Sequence, residues 1–264
     1  MEIELFSGLD QEDGFPAGVS LLAADVRSVL VRTAEVRHAR HRDFSTALAN
    51  LATKRALLPE DQRIGIICIG GPVAVAPSLA FAQQALDRGP RFVNPIGFPP
   101  TLISDVPTQL AALIGAHQFA LTVGWNRLAF LEAIKVADLY RRLGLAELVV
   151  VVAAMSGAGL GPITAGTCLE RSVLDISLAA RVGPVAGTGR LVEVVELDAP
   201  GLAPDIILDW QLQEVSGHGS LLTRHEALTA SVAVLMSEIA MSGAATSVRL
   251  SDGGLKASLL IRPR

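Results

Sequence analysis

The run Thr122-Val123-Gly124-Trp125-Asn126 lies between a short apolar stretch and a helical pattern. That is where an α/β enzyme turns a strand into a helix and presents its nucleophile. Here the elbow offers Val123, a side chain that can neither attack a carbonyl nor carry an acyl thioester. Other reagents exist elsewhere in the chain. Ser156, His218 and Asp209 compose a hydrolase trio on paper, yet Ser156 lacks the flanking glycines of a nucleophile elbow. Gly157, Gly159 and Gly161 suggest a dinucleotide loop, but Pro162 occupies the slot of the last fingerprint glycine and no helix pattern opens there. His38 and His41 are three positions apart, and the arginines crowding them oppose a cation. His117 and His225 stand alone and read as structural histidines. No metal and no cofactor are expected.

Composition narrows the partners. Across 264 residues the net charge is −4, which supplies no basic field for nucleic acid or an anionic membrane surface. The one concentrated basic patch, residues 37–42 with Arg37, Arg40 and Arg42, reads as a solvated turn or as a landing site for an acidic partner. Cys68 and Cys168 sit in apolar surroundings without CxxC spacing and read as small buried hydrophobes. With no charged and apolar leader pattern at the start, the expectation is a reduced, cytoplasmic protein. Residues 148–169 are uncharged over a length that could cross a bilayer. Their glycines and Pro162 make a poor continuous helix, so the segment reads as a buried strand followed by a glycine loop, and no membrane contact is expected.

The elements that would position the elbow are legible from pattern. Hydrophobic residues make up 50% of the chain and aromatic ones only 4%, so the core must be filled by Ala, Val, Leu and Ile, which suits close packing of helices on a sheet. Residues 1–6 read as a strand, 43–58 as a helix ending before Pro59, and 64–69 as a strand covered on both faces. Residues 78–86 read as a helix closed by Arg88-Gly89-Pro90, and 102–116 carry an apolar helical pattern in which the helix begins at Pro107. Residues 117–122 form a strand candidate, 127–143 a helix with Gly144 past its end, and 148–154 a central strand. Beyond it the pattern predicts partial helix over 164–182, single strands over 190–197 and 206–215, and a long helix over 221–241. The chain closes with a hairpin of 246–250 and 256–262 around an Asp-Gly turn.

Taken in order, several of these segments resemble the β-ketoacyl synthases of the thiolase fold. Asn94-Pro95 with Phe98-Pro99, an alanine-bearing helix, Leu121-Thr122-Val123 and a helix carrying Ala129 and Ala133 resemble that family's N-terminal half. Arg63-Ile64-Gly65-Ile66 resembles its preceding strand, and Gly253-Gly254-Leu255-Lys256-Ala257-Ser258-Leu259 its closing hairpin, with Lys256 in place of asparagine. The resemblance places Val123 at the nucleophilic cysteine and His218 at a remnant of one catalytic histidine. It implies one thiolase-like α/β domain over residues 1–264, layered α-β-α, with halves of about 1–154 and 155–264, truncated relative to a complete ketosynthase. It further implies a silent subunit of the chain-length-factor type that pairs with an active ketosynthase and an acyl carrier protein. Gln118, Phe119, Leu121 and Val123 would then lie at the subunit interface. Trp125, Asn126, Leu128 and Phe130 would shape an acyl tunnel, and Arg37, Arg40 and Arg42 would meet the carrier protein. The alternatives are a homodimeric scaffold and a diverged acyl-transfer or hydrolytic enzyme using Ser156 or His218.

Overall fold

The structure, a computed structural model, describes residues 1–9, 19–20, 44–57, 62–69, 75–124, 126, 128–155, 175–197, 204–209, 214–216, 231–252 and 255–264. Its strands are β1 (Glu2–Ser7), β2 (Val19–Ser20), β3 (Ile64–Ile69), β4 (Phe119–Val123), β5 (Leu148–Met155), β6 (Asp175–Val182), β7 (Arg190–Glu196), β8 (Ile206–Asp209), β9 (Glu214–Ser216), β10 (Thr246–Asp252) and β11 (Leu255–Pro263). The helices are α1 (Phe44–Ala56), α2 (Val75–Arg88), α3 (Asp105–Ile114), α4 (Ala129–Arg142) and α5 (Ser231–Ser242). Three short 3-10 turns, Pro90–Phe92, Pro95–Gly97 and Pro99–Thr101, join α2 to α3.

All the strands share one hydrogen-bonded sheet in the order β4-β3-β5-β6-β1-β7-β11-β10-β8-β9, with β2 beside β6. β4, β3 and β5 run parallel, whereas β6, β1, β7 and β11 alternate in direction. Because successive side chains point to opposite faces, each apolar strand feeds two cores. Ile67, Val149, Val151 and Ala153 join Phe130, Ile134 and Ala137 of α4 and Leu235 and Ile239 of α5 on one face. Ile66, Cys68, Val150 and Val152 join Leu48, Ala49 and Ala52 of α1 and Leu110 of α3 on the other. The result is the α-β-α layering expected from the sequence, and it explains why β3 and β5 read as continuous apolar runs.

Three expectations need correction. Residues 164–182 were expected to be helical in part, but 175–182 form β6, and every residue of that strand is buried. Its Ile-x-Leu-x-Ala alternation fits a strand between β5 and β1, and tertiary pairing overrides the local helix preference of its alanines. Residues 206–215 form two antiparallel strands, β8 and β9, with Asp209 opposite Glu214. The helix α3 begins at Asp105, so Pro107 stands within its first turn instead of opening it. The closing hairpin is as expected, with Asp252 opposite Leu255.

Candidate functional site

Among the described residues β4 closes one end of the sheet and pairs only with β3. The Gln118 N–H donates to the Ile64 carbonyl at 3.3 Å. Main-chain groups alternate sides along a strand, so Phe119, Leu121 and Val123 direct their N–H and C=O groups away from β3, along the open edge. Their side chains turn back toward the α4 face and pack, half-buried, against the core there. The Phe119 ring lies over Gly65, its partner in β3, where an added Cβ would stand 2.2 Å from the ring. It also meets Tyr140 of α4 edge to face, with ring centroids 5.0 Å apart. Phe119, Leu121 and Val123 thus turn their main chain outward while their side chains stiffen the strand against the core. Gln118 is exposed just before it. On the α4 side, Leu139 and Leu143, four apart on one helix face, stand 51% and 63% exposed.

After Val123 the chain turns through Gly124, whose φ of 57° is left-handed. A Cβ there would meet the Ala129 Cβ at 2.9 Å, so only glycine allows the turn and the close approach of α4 together. Asn126 then fixes the turn that leads into the helix, whose N-cap is Leu128. Its Oδ1 accepts from the Leu128 N–H at 2.8 Å, its carbonyl accepts from the Ala129 N–H at 3.1 Å, and its Nδ2 donates to Glu132 Oε2 at 3.1 Å. Glu132 also places negative charge in the first turn, where the helix dipole favours it. Leu128 and Phe130 are buried in the α4-side core. The frame of a nucleophile elbow is therefore held by three polar contacts around a strand that ends in valine. Gly124→Ala should cost about 1–3 kcal/mol of stability in urea unfolding, because it strains both the backbone and the contact with Ala129.

Cys68 is the thiol nearest in register to this edge, one residue before Ile69, the partner of Val123. It is buried, and desolvation raises its pKa far above the usual thiol range, so it stays a protonated, unreactive thiol. It lines a small apolar cavity with Ile103, Val106, Val152 and Ala154. Trp125, Arg127, Ser156, His218, Cys168 and the patch of Arg37, Arg40 and Arg42 lie outside the described residues. Among the described residues no cluster of His, Cys, Asp and Glu suits a metal ion, and no helix is long and apolar enough to cross a membrane.

No protein-family profile and no curated protein matches this sequence. Solved structures do match its fold. A chain of the ishigamide ketosynthase/chain length factor is similar over 82% of this chain and 79% of that one, with TM-score 0.53 and 14% identity. The fold is the ketosynthase/chain-length-factor fold. A chain from the ketosynthase ApeO in complex with its chain length factor ApeC, from Xenorhabdus doucetiae, matches over 98% of this chain and 96% of that one, with TM-score 0.55 and 10% identity. A third similar structure is the AntDE:AntF complex, a type II polyketide synthase acyl-carrier protein with its ketosynthase bound to the hexaketide. That match covers 98% of both chains, with TM-score 0.57 and 12% identity. Within this ketosynthase-like fold, the sequence alone had located the elbow, the strand before it and the helix after it. The role of Asn126 in fixing the turn carried no signal in the apolar pattern; an asparagine just before a helix with an acid at Glu132 was the trace that could have shown it.

Proposed function

We propose that this chain is a catalytically silent, ketosynthase-like subunit of the chain-length-factor kind, a single domain that pairs with an active ketosynthase in polyketide or fatty-acid-type biosynthesis. The observation that carries the reading is the elbow: Gly124 and Asn126 keep the turn in which a nucleophile is presented, and the position holds Val123. A frame maintained without its reagent serves assembly. The open edge of β4 supports the same reading, since an unpaired strand edge is a template for another strand. The printed descriptions of the similar structures, which include a ketosynthase with its chain length factor and a ketosynthase with an acyl-carrier protein, supply the class of partner.

In this reading Phe119, Leu121 and Val123 form the pairing strand, with Gln118 at its exposed start. Leu128 and Phe130 fix the start of α4 from within the core, and Trp125 and Asn126 shape the elbow beside the partner's acyl tunnel. The basic residues Arg37, Arg40 and Arg42 meet the acidic carrier protein. The pair works in the cytoplasm. Co-expression with the active ketosynthase of the same genome, followed by purification through a tag on either chain, should recover both as a heterodimer. Recovery of this chain alone at high concentration refutes the reading, and a self-dimer without affinity for the synthase marks a scaffold instead.

A further inference from the structure

Arg181 stands in the interior of the sheet, paired with Val150 of β5 on one side and with Glu4 of β1 on the other, and it is 1% exposed. Side chains two apart along a strand share a face, so Arg181 lies with Ser177 and Ala179 beneath α1. There Ser177 Oγ donates to the Leu48 carbonyl at 2.5 Å, and Arg181 Nη1 to the carbonyl of Ala56, the last residue of α1, at 3.4 Å. The Nε and Nη2 donors reach no protein acceptor among the described residues. Such a state is rare for a buried group, because a donor withdrawn from water without a replacement forfeits its hydrogen bond.

Two buried acceptors lie in the same region. Glu4, directly opposite in β1, is 2% exposed. Each of its carboxylate oxygens takes one N–H of the turn between β6 and β7, from Ala186 and from Gly189, and each keeps a second lone pair. No hydrogen bond joins Glu4 to Arg181; the carboxylate acts on the guanidinium through its charge, which opposes the lowering of the Arg181 pKa by burial. Gln62 stands at the same end of the sheet, since β5 pairs Leu148 with Ile64 and Val150 with Arg181. Its Oε1 is buried and receives no donor among the described residues.

Charge decides what can bridge these groups. A small anion would satisfy the guanidinium, but it would stand beside the Glu4 carboxylate and at the negative end of the α1 dipole, where the scarcity of water strengthens repulsion. A cation would meet Arg181 itself. Water is neutral, accepts from one side and donates to the other, and when buried makes about three hydrogen bonds to groups the chain leaves unsatisfied.

We infer that an ordered internal water bridges Arg181 and Glu4 beneath the C-terminal end of α1, accepting from the guanidinium and donating to the carboxylate, with Gln62 Oε1 as the next acceptor. Glu4 and Arg181 are then a water-separated ion pair, and α1, β1 and β6 are tied through a bound ligand as well as through direct contacts. The site is independent of the pairing proposed above.

A high-resolution crystal structure of the full chain tests the site directly. It should show a water within hydrogen-bond distance of both Arg181 and Glu4. Direct pairing of the two side chains, an anion on the guanidinium, or a dry contact overturns the inference. In solution, magnetic relaxation dispersion of the water oxygen counts long-lived internal waters, and Arg181→Met removes both unpartnered donors. The count should fall by about one, and an unchanged count in the folded variant overturns the site. Where the variant does not fold, the crystal structure of the unmodified chain decides alone.

Discussion

With proline in place of Leu121, this chain should fold, lose about 1–2 kcal/mol of stability from trimmed packing, and, if the proposed pairing holds, recover a ketosynthase about tenfold less well or worse. The expectation follows from the direction of one N–H. Gln118 donates toward β3, so the alternation places the Leu121 N–H on the outer edge of β4, where proline removes a donor without breaking the ladder to β3. Each main-chain hydrogen bond across a new ladder contributes about 0.5–1.5 kcal/mol net, and the proline ring adds a steric block on the approaching strand. Ala120→Pro is the control. Its N–H faces β3, so the same chemical change one residue earlier should weaken the fold itself. Urea unfolding and tagged co-purification, run on both variants, separate the two effects. Equal pairing by Leu121→Pro and the unmodified chain would show that the partner does not use this edge.

A second large effect is expected far from the elbow, at Glu4. Its side chain is buried in β1, the strand that joins the β5-β6 and β7-β11 regions of the sheet. Oε2 accepts from the Ala186 N–H at 2.7 Å and Oε1 from the Gly189 N–H at 2.8 Å, so the carboxylate organises the turn between β6 and β7. Directly opposite in β6 is Arg181, equally buried. Desolvation lowers the Arg181 pKa and the negative charge of Glu4 opposes that shift. Arg181 Nη1 donates to the Ala56 carbonyl at 3.4 Å, while Nε and Nη2 have no hydrogen-bond partner among the described residues. Glu4→Ala therefore strands a buried cation and two backbone donors, and should cost about 3–5 kcal/mol. Glu4→Gln keeps an acceptor and the volume and should lose less. Adding Arg181→Met to Glu4→Ala should return part of the loss, because it removes the uncompensated charge. Urea unfolding of the four proteins checks the order.

Sequence pattern revealed the parts of this fold whose local chemistry and tertiary environment agree. β3 and β5 are apolar on both faces because helices cover both faces, and the closing strands pair as the sequence pattern placed them. The expectation failed at β6, where the alanines favoured helix locally and burial between two strands decided the outcome. At the site, the elbow was visible as an apolar run, a glycine and a helical pattern. The facing of β4 was not, since alternation shows that Phe119, Leu121 and Val123 share a side without showing which neighbour that side meets. The Glu4 and Arg181 pair was equally hidden, because a charge near the start of a chain reads as solvated until a partner strand is placed beside it. The exposure of Leu86 and Phe92, in a stretch read as a helix and turns, came only with the structure.

The position of β1 also sets an order of events during synthesis. The Met1 ammonium donates to the Val194 carbonyl at 3.0 Å across 193 positions of sequence, and β1 is flanked by β6 and β7. β3, β4 and β5 can assemble among themselves as soon as β5 has emerged, since all three lie within residues 64–155 and pair with one another. β1 is made before them and has no neighbour until the later strands arrive. The β4 edge is thus formed while the strand that unites the sheet is still unpaired, so the two halves of the sheet join only after β6 and β7 have been made.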